Sequence, residues 1–130
     1  MAVTQTGAVQ TDAAPAAVGP YSQGRWAGDF FFSAGQVPLI PGSGEMRQGT
    51  TEEQTRQVMN NLEAVLKAAG LGFNNVTKTN VYLTDMDDFV PMNSVYAESF
   101  EPPYPARSTV AVNGLPKGAR VEIDVVACRG

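Results

Sequence analysis

The residues Pro103-Tyr104-Pro105-Ala106-Arg107-Ser108-Thr109-Val110-Ala111-Val112 form a proline-stiffened turn that runs directly into an alternating strand pattern, and a guanidinium opens that strand. Pro103 and Pro105 limit the freedom of the approach, so Arg107 loses less entropy on being held in place. Arginine is a planar, two-pronged donor that fixes an anionic partner in orientation as well as charge. In the last alternating run of the chain Glu122 supplies a carboxylate, a group that directs water and protons when it lies within hydrogen-bond reach. Histidine is absent. That removes Ser-His and Cys-His nucleophilic pairs, the His-containing zinc sites and an imidazole general base. Chemistry in this chain has to run on arginine, carboxylates, tyrosine, hydroxyls and backbone groups, with no metal site expected.

Composition narrows the partners. At 130 residues the chain suits one domain around one core, and a domain of that size buries roughly 65 to 70% of its unfolded surface. Hydrophobic residues at 43% and charged residues at 17% are ordinary for a globular protein. The net charge of −4 and the lack of any basic run or aromatic-basic interleaving oppose a phosphate backbone, so nucleic acid is not an expected ligand. No apolar run approaches the roughly 20 residues that cross a bilayer, and the N-terminus has no positive segment followed by an apolar one. A cytoplasmic protein without a membrane partner is expected. One cysteine, Cys128, excludes an internal disulfide framework and reads as a small buried apolar group.

Several elements must carry these groups. Residues 1–13 lack periodicity and read as a flexible extension; residues 14–130 read as a single domain. Pro15, Gly19 and Pro20 forbid a helix and predict an ordered loop. Arg25 to Ala27 and Phe30 to Val37 read as strands around a Gly28-Asp29 turn, with a further short strand possible at Glu45 to Gln48. A helix starts near Thr50 or Thr51, each with Glu or Gln three residues on; Val58, Leu62, Val65 and Ala69 form its apolar stripe and Gly70 its stop. Val76 to Thr84 reads as a strand. Asp87 or Asp88 is expected to cap a second helix that turns Phe89, Met92, Val95, Tyr96 and Phe100 to the core. Arg107 to Val112 and Arg120 to Cys128 complete the set.

This order predicts an α+β layer, with two helices on one face of a mixed sheet. In the last strand Val121, Ile123, Val125 and Ala127 point one way, while Glu122, Asp124, Val126 and Cys128 point the other. The second face is therefore semi-polar with apolar patches. With both helices already on the first face, another copy of the chain is the expected cover, with Glu122 near the seam.

Gly19-Pro20-Tyr21-Ser22-Gln23, Ser33-Ala34-Gly35-Gln36, Asn93-Ser94-Val95-Tyr96, Tyr104-Pro105-Ala106-Arg107-Ser108, Leu115-Pro116-Lys117 and Val121-Glu122-Ile123 together resemble the RidA/YjgF family. The similarity spans about residues 14 to 129, and its most specific element is the Pro-Ala-Arg-Ser stretch. It implies a chorismate-mutase-like fold assembled as a homotrimer, with sites at the subunit interfaces and no cofactor. The implied activity hydrolyses enamine and imine intermediates, such as 2-aminoacrylate and 2-iminobutanoate, to 2-oxo acids and ammonia, which protects other enzymes.

Within that resemblance, Arg107 is expected to anchor the carboxylate of a 2-imino or 2-oxo acid and Glu122 to steer water onto the imine carbon. The backbone N–H of Thr109, on the same strand face as Arg107, is a further expected donor. Tyr21 is expected to close a neighbouring subunit's cleft, Asn93 to bond substrate, and Gly35 to let backbone approach a ligand. Thr109 stands where many members carry cysteine, and Ala34 where serine is common. Two other readings use the same arginine: a trimeric binder of small carboxylates without turnover, and an RNA-cleaving or translation-inhibiting protein, which the acidic charge and absent histidine disfavour.

Overall fold

The computed structural model describes residues 7–130. Six strands form one mixed sheet: β1 (Ala8–Val9), β2 (Gly24–Ala27), β3 (Phe30–Ser33), β4 (Val76–Leu83), β5 (Ala106–Ala111) and β6 (Val121–Cys128), in the spatial order β1-β2-β3-β6-β4-β5. Every neighbouring pair is antiparallel except β4 and β5, which run parallel. A parallel pair needs a crossover, and α2 (Phe89–Tyr96) provides it. The longer α1 (Thr51–Ala68) connects β3 to β4. The expected mixed sheet with two helices is therefore borne out. No helix among the described residues is long and apolar enough to cross a membrane.

Helix α1 begins and ends as its residues dictate. Thr50 Oγ1 accepts from Glu53 N at 3.2 Å while Glu53 Oε1 accepts from Thr50 N at 3.1 Å, a complete capping box. At the other end Leu71 N donates to Leu66 O at 2.8 Å and Gly70 N to Lys67 O at 2.9 Å, with Gly70 at φ 79°. That left-handed residue closes the helix where a side chain would be strained. Between these caps Val58, Leu62, Val65 and Leu66 are wholly buried against Val121, Ile123 and Val125 of β6 and Val81 and Leu83 of β4.

Several expectations change. The loose extension over residues 1–13 contains a strand, Ala8–Val9, hydrogen-bonded to β2, and Val9 is buried. The cause is Gln23, whose buried amide accepts from Thr11 N at 2.7 Å and donates to Thr11 O at 3.0 Å and Pro15 O at 2.8 Å. Residues 1–6 of that extension lie outside the described residues. Strand β3 stops at Ser33 rather than Val37: between the pairs Phe32–Val126 and Gln36–Ile123 one strand advances four residues and the other three. The extra residue makes a bulge, and Ser33 Oγ closes the gap by accepting from Val125 N at 2.9 Å. Glu45 to Gln48 contributes a single bridge, Met46 to Leu39, and no strand of the sheet. Neither expected aspartate caps α2 through its side chain. Asp88 occupies the N-cap position, but its carboxylate accepts from Thr51 Oγ1 at 2.8 Å and so ties the two helices together.

The segment after the bulge is anchored from below. Asn61 of α1 is buried, and its amide donates to Leu39 O at 2.9 Å and Val37 O at 3.2 Å. Removing that amide leaves Leu39 O without its partner, while Val37 O keeps the bond it accepts from Leu39 N at 2.7 Å. Asn61→Ala is expected to lower stability by about 1 to 3 kcal/mol, read as a shift of the urea unfolding midpoint at unchanged slope.

Candidate active site

Arg107 follows Ala106 at the start of β5, the edge strand, in register with Thr79 of β4 and beyond it Val125 of β6. Thr79 and Val125 are buried beneath the helices, so Arg107 rises on the helical face. There α2 forms its cradle. Arg107 Nη1 donates to Asn93 Oδ1 at 2.6 Å, and the guanidinium carbon lies 4.9 Å from the ring centre of Tyr96 and 5.4 Å from that of Phe89. Phe89, Asn93 and Tyr96 recur at spacings of four and three, which is one face of a helix. Cation–π contact on two rings holds the charge without satisfying its hydrogen bonds.

That charge has no counter-ion among the described residues. Among the described residues the ion pairs are Arg47–Glu53 at 2.9 Å and Arg56–Glu98 at 2.8 Å, and Arg107 belongs to neither. The Tyr96 hydroxyl exchanges a hydrogen bond with Thr79 Oγ1 at 2.8 Å, and burial pushes its ionisation up against the opposing pull of Thr79 and Arg107. It stays a neutral phenol. Two residues along the same strand face, Thr109 Oγ1 is buried with no hydrogen-bond partner.

Glu122 lies on the opposite side. It pairs in register with Tyr82 of β4, which pairs with Val110 of β5, and these alternate with the residues under the helices. The carboxyl is half-buried at the floor of an open cleft of about 530 Å³, whose lining includes Tyr21, Gly35, Lys117 and several aliphatic side chains. Burial, and then the neighbouring charge of Asp124, push its ionisation above the usual carboxylate range. Gly35 sits in the bulge directly over it. A Cβ at Gly35 would collide with the Glu122 carboxylate, so the missing side chain makes room for this acid rather than for backbone approach to a ligand. Tyr21, exposed at the cleft edge, accepts a hydrogen bond from Val18 N at 3.4 Å through its hydroxyl.

The expected site residues thus separate into two sets. Arg107 and Asn93 are in contact, with Thr109 on the same face; Tyr21, Gly35 and Glu122 share a cleft on the other. Within one chain the sheet stands between them. Sequence reasoning placed Phe89 and Tyr96 in the core and missed that they hold Arg107, although their spacing around Asn93 on one helix face was the available signal. Asp124 and the aliphatic cleft walls were also missed.

The chain is a small α+β domain with a guanidinium on one face of its sheet and a half-buried carboxyl on the other. The sequence profile of the Endoribonuclease L-PSP family matches residues 11–129. A RutC family protein of Pyrococcus horikoshii is 50% identical over 117 residues, 90% of this chain and 93% of that one. The mouse 2-iminobutanoate/2-iminopropanoate deaminase is 45% identical over 122 residues, 94% of this chain and 90% of that one. Among solved structures, RidA from an Antarctic Psychrobacter superposes with a TM-score of 0.89 at 44% identity, covering 96% and 99% of the two chains. TdcF of E. coli with bound serine gives a TM-score of 0.89 at 38% identity, covering 95% and 98%. The chain belongs to this family, the RidA/YjgF proteins.

The raised ionisation of Glu122 has a consequence for stability. A carboxyl whose folded value exceeds its unfolded one is penalised in the fold increasingly as pH rises past the unfolded value and fully above the folded value, and the penalty vanishes below the unfolded one. Glu122→Gln is expected to raise the thermal midpoint near neutral pH, with the gain shrinking as pH is lowered through the carboxylate range, as calorimetry across that range would record.

Proposed function

We propose that the protein hydrolyses 2-imino acids, and the enamines in equilibrium with them, to 2-oxo acids and ammonia at sites shared between copies of the chain. The half-buried guanidinium of Arg107, held by Asn93 and two aromatic rings and free of any counter-ion, carries this reading. Its unused N–H groups fit a carboxylate in two-pronged fashion. A relative, the E. coli TdcF, was crystallised with serine, an amino acid that presents such a carboxylate, and mammalian relatives are named for the deamination.

The chemistry suits the groups at hand. Glu122 in its ionised form takes a proton from water as the water oxygen bonds to the carbon of the protonated imine, C=NH2⁺, and the C=N electron pair moves onto nitrogen. The resulting carbinolamine then receives the proton from Glu122 on its nitrogen, the C–N bond breaks, and loss of the hydroxyl proton leaves the 2-oxo acid and ammonia. A carboxyl with a raised ionisation is a stronger base for the first step than an ordinary carboxylate. Such imines hydrolyse readily, so orientation accounts for much of the rate.

Because Arg107 and Glu122 sit on opposite faces of the sheet, one substrate reaches both only between chains. The two patches differ, so their contact is heterologous, and a ring forms when the rotation that repeats it closes. A homotrimer with a site in each cleft is the form we infer. Phe30, Phe32 and Val110, each nearly half exposed on the open face, supply apolar surface for that contact.

The test generates the imine in situ from threonine with a dehydratase and follows its loss. Arg107→Ala is expected to slow the protein-dependent rate about a hundredfold, as loss of two charge-assisted hydrogen bonds implies; equal rates for native and variant protein sink the deaminase reading. Native kcat/KM should fall as pH drops through the raised value of Glu122, since protonation removes the base, and Glu122→Gln should abolish that limb. Co-refolding Arg107→Ala with Glu122→Gln chains should restore activity to about a quarter of the sites in a random trimer, whereas no recovery would place both groups in one chain's site.

A further inference from the structure

The cleft over Glu122 has a composition that short imines do not need. Beyond the acid, Tyr21, Gln36 and Lys117, its lining is mostly aliphatic and includes Val18, Val37, Leu39, Pro116 and the methyl group of Ala34. The bulge that forms this wall contributes no hydroxyl to it, because Ser33 Oγ is engaged by Val125 N at 2.9 Å, within the sheet. Val37 and Leu39 are fixed from beneath by Asn61, whose amide holds both carbonyls, so the wall is a built surface rather than a loose loop. The space, about 530 Å³, far exceeds what a methyl or ethyl group fills.

This inference rests on the deaminase reading and deepens it. The reacting carbon of a 2-imino acid carries three substituents. The carboxylate goes to Arg107 of the adjoining copy and the nitrogen and attacking water share Glu122, which leaves the aliphatic wall for the side chain. We propose that the enzyme prefers 2-imino acids with large aliphatic side chains, of the kind that oxidation of leucine, isoleucine or methionine produces, and that Ala34 and Leu39 determine this preference. Apolar walls with few convergent polar groups discriminate by the surface they bury, and each buried methylene contributes about a fourfold factor.

An amino-acid oxidase supplies the series from L-alanine, L-2-aminobutanoate and L-leucine, and the protein-dependent loss of each imine gives kcat/KM. The ratio for the leucine-derived imine over 2-iminopropanoate is expected to be about tenfold or more. Ala34→Ser, which places a hydroxyl on the wall, and Leu39→Ser should each lower that ratio severalfold; Ala34→Ser is the smaller change and keeps the test usable if Leu39→Ser does not fold. A flat series, a preference for the shortest imine, or ratios unmoved in a folded Ala34→Ser overturns the preference. If the short imines still turn over in an Arg107-dependent manner, the deaminase reading survives that failure. Absence of Arg107-dependent turnover for every imine overturns both.

Discussion

A guanidinium kept half-buried and without a counter-ion is the constraint around which one side of this protein is arranged. Removing such a charge from water is costly unless something replaces the lost hydration. Here the replacement is incomplete by construction: one short hydrogen bond to Asn93 and the faces of Tyr96 and Phe89 stabilise the cation while leaving N–H groups open. The crossover between the parallel strands β4 and β5 makes this possible, because it brings Phe89, Asn93 and Tyr96 of α2 to Arg107 at the start of β5. Thr79 adds a further tie by fixing the Tyr96 hydroxyl from the neighbouring strand.

The other side is governed by space around a single acid. Glu122 is lifted toward the protonated form by burial and by Asp124, and it lies in the room that Gly35 leaves. The extra residue between Phe32 and Gln36 is what carries Gly35 across the carboxylate. Asn61 then holds the chain beyond the bulge to α1, so a side chain deep in the helical layer sets the position of a wall on the opposite face.

These two arrangements are separated by the pleat itself. Register pairs Arg107 with Thr79 and Val125, and Val110 with Tyr82 and Glu122, so the sheet turns the guanidinium and the acid away from each other. No side-chain rotation inside one chain reconciles them. The open face adds Phe30 and Phe32, each nearly half exposed, beside Val126.

Much of this was legible in the residues before any coordinates. The capping box at Thr50 and Glu53, the stripe through Val58 and Leu62, the stop at Gly70 and the alternation of β6 are local signals, and each element formed where its own chemistry demanded. Arg107, Asn93, Glu122, Tyr21 and Gly35 stand in short motifs that resemble those of the family. What those residues could not convey was relative placement. The strand at Ala8–Val9 depends on the distant amide of Gln23, and the bulge on a hydroxyl reaching β6. Asp88 serves Thr51 rather than its own helix. Gly35 answers to a carboxylate far along the chain. Period and capping act over a few neighbouring residues and can be read in order, whereas register and bulges arise from pairing between segments remote in sequence. The tertiary structure alone decided that the cation and the acid face opposite ways.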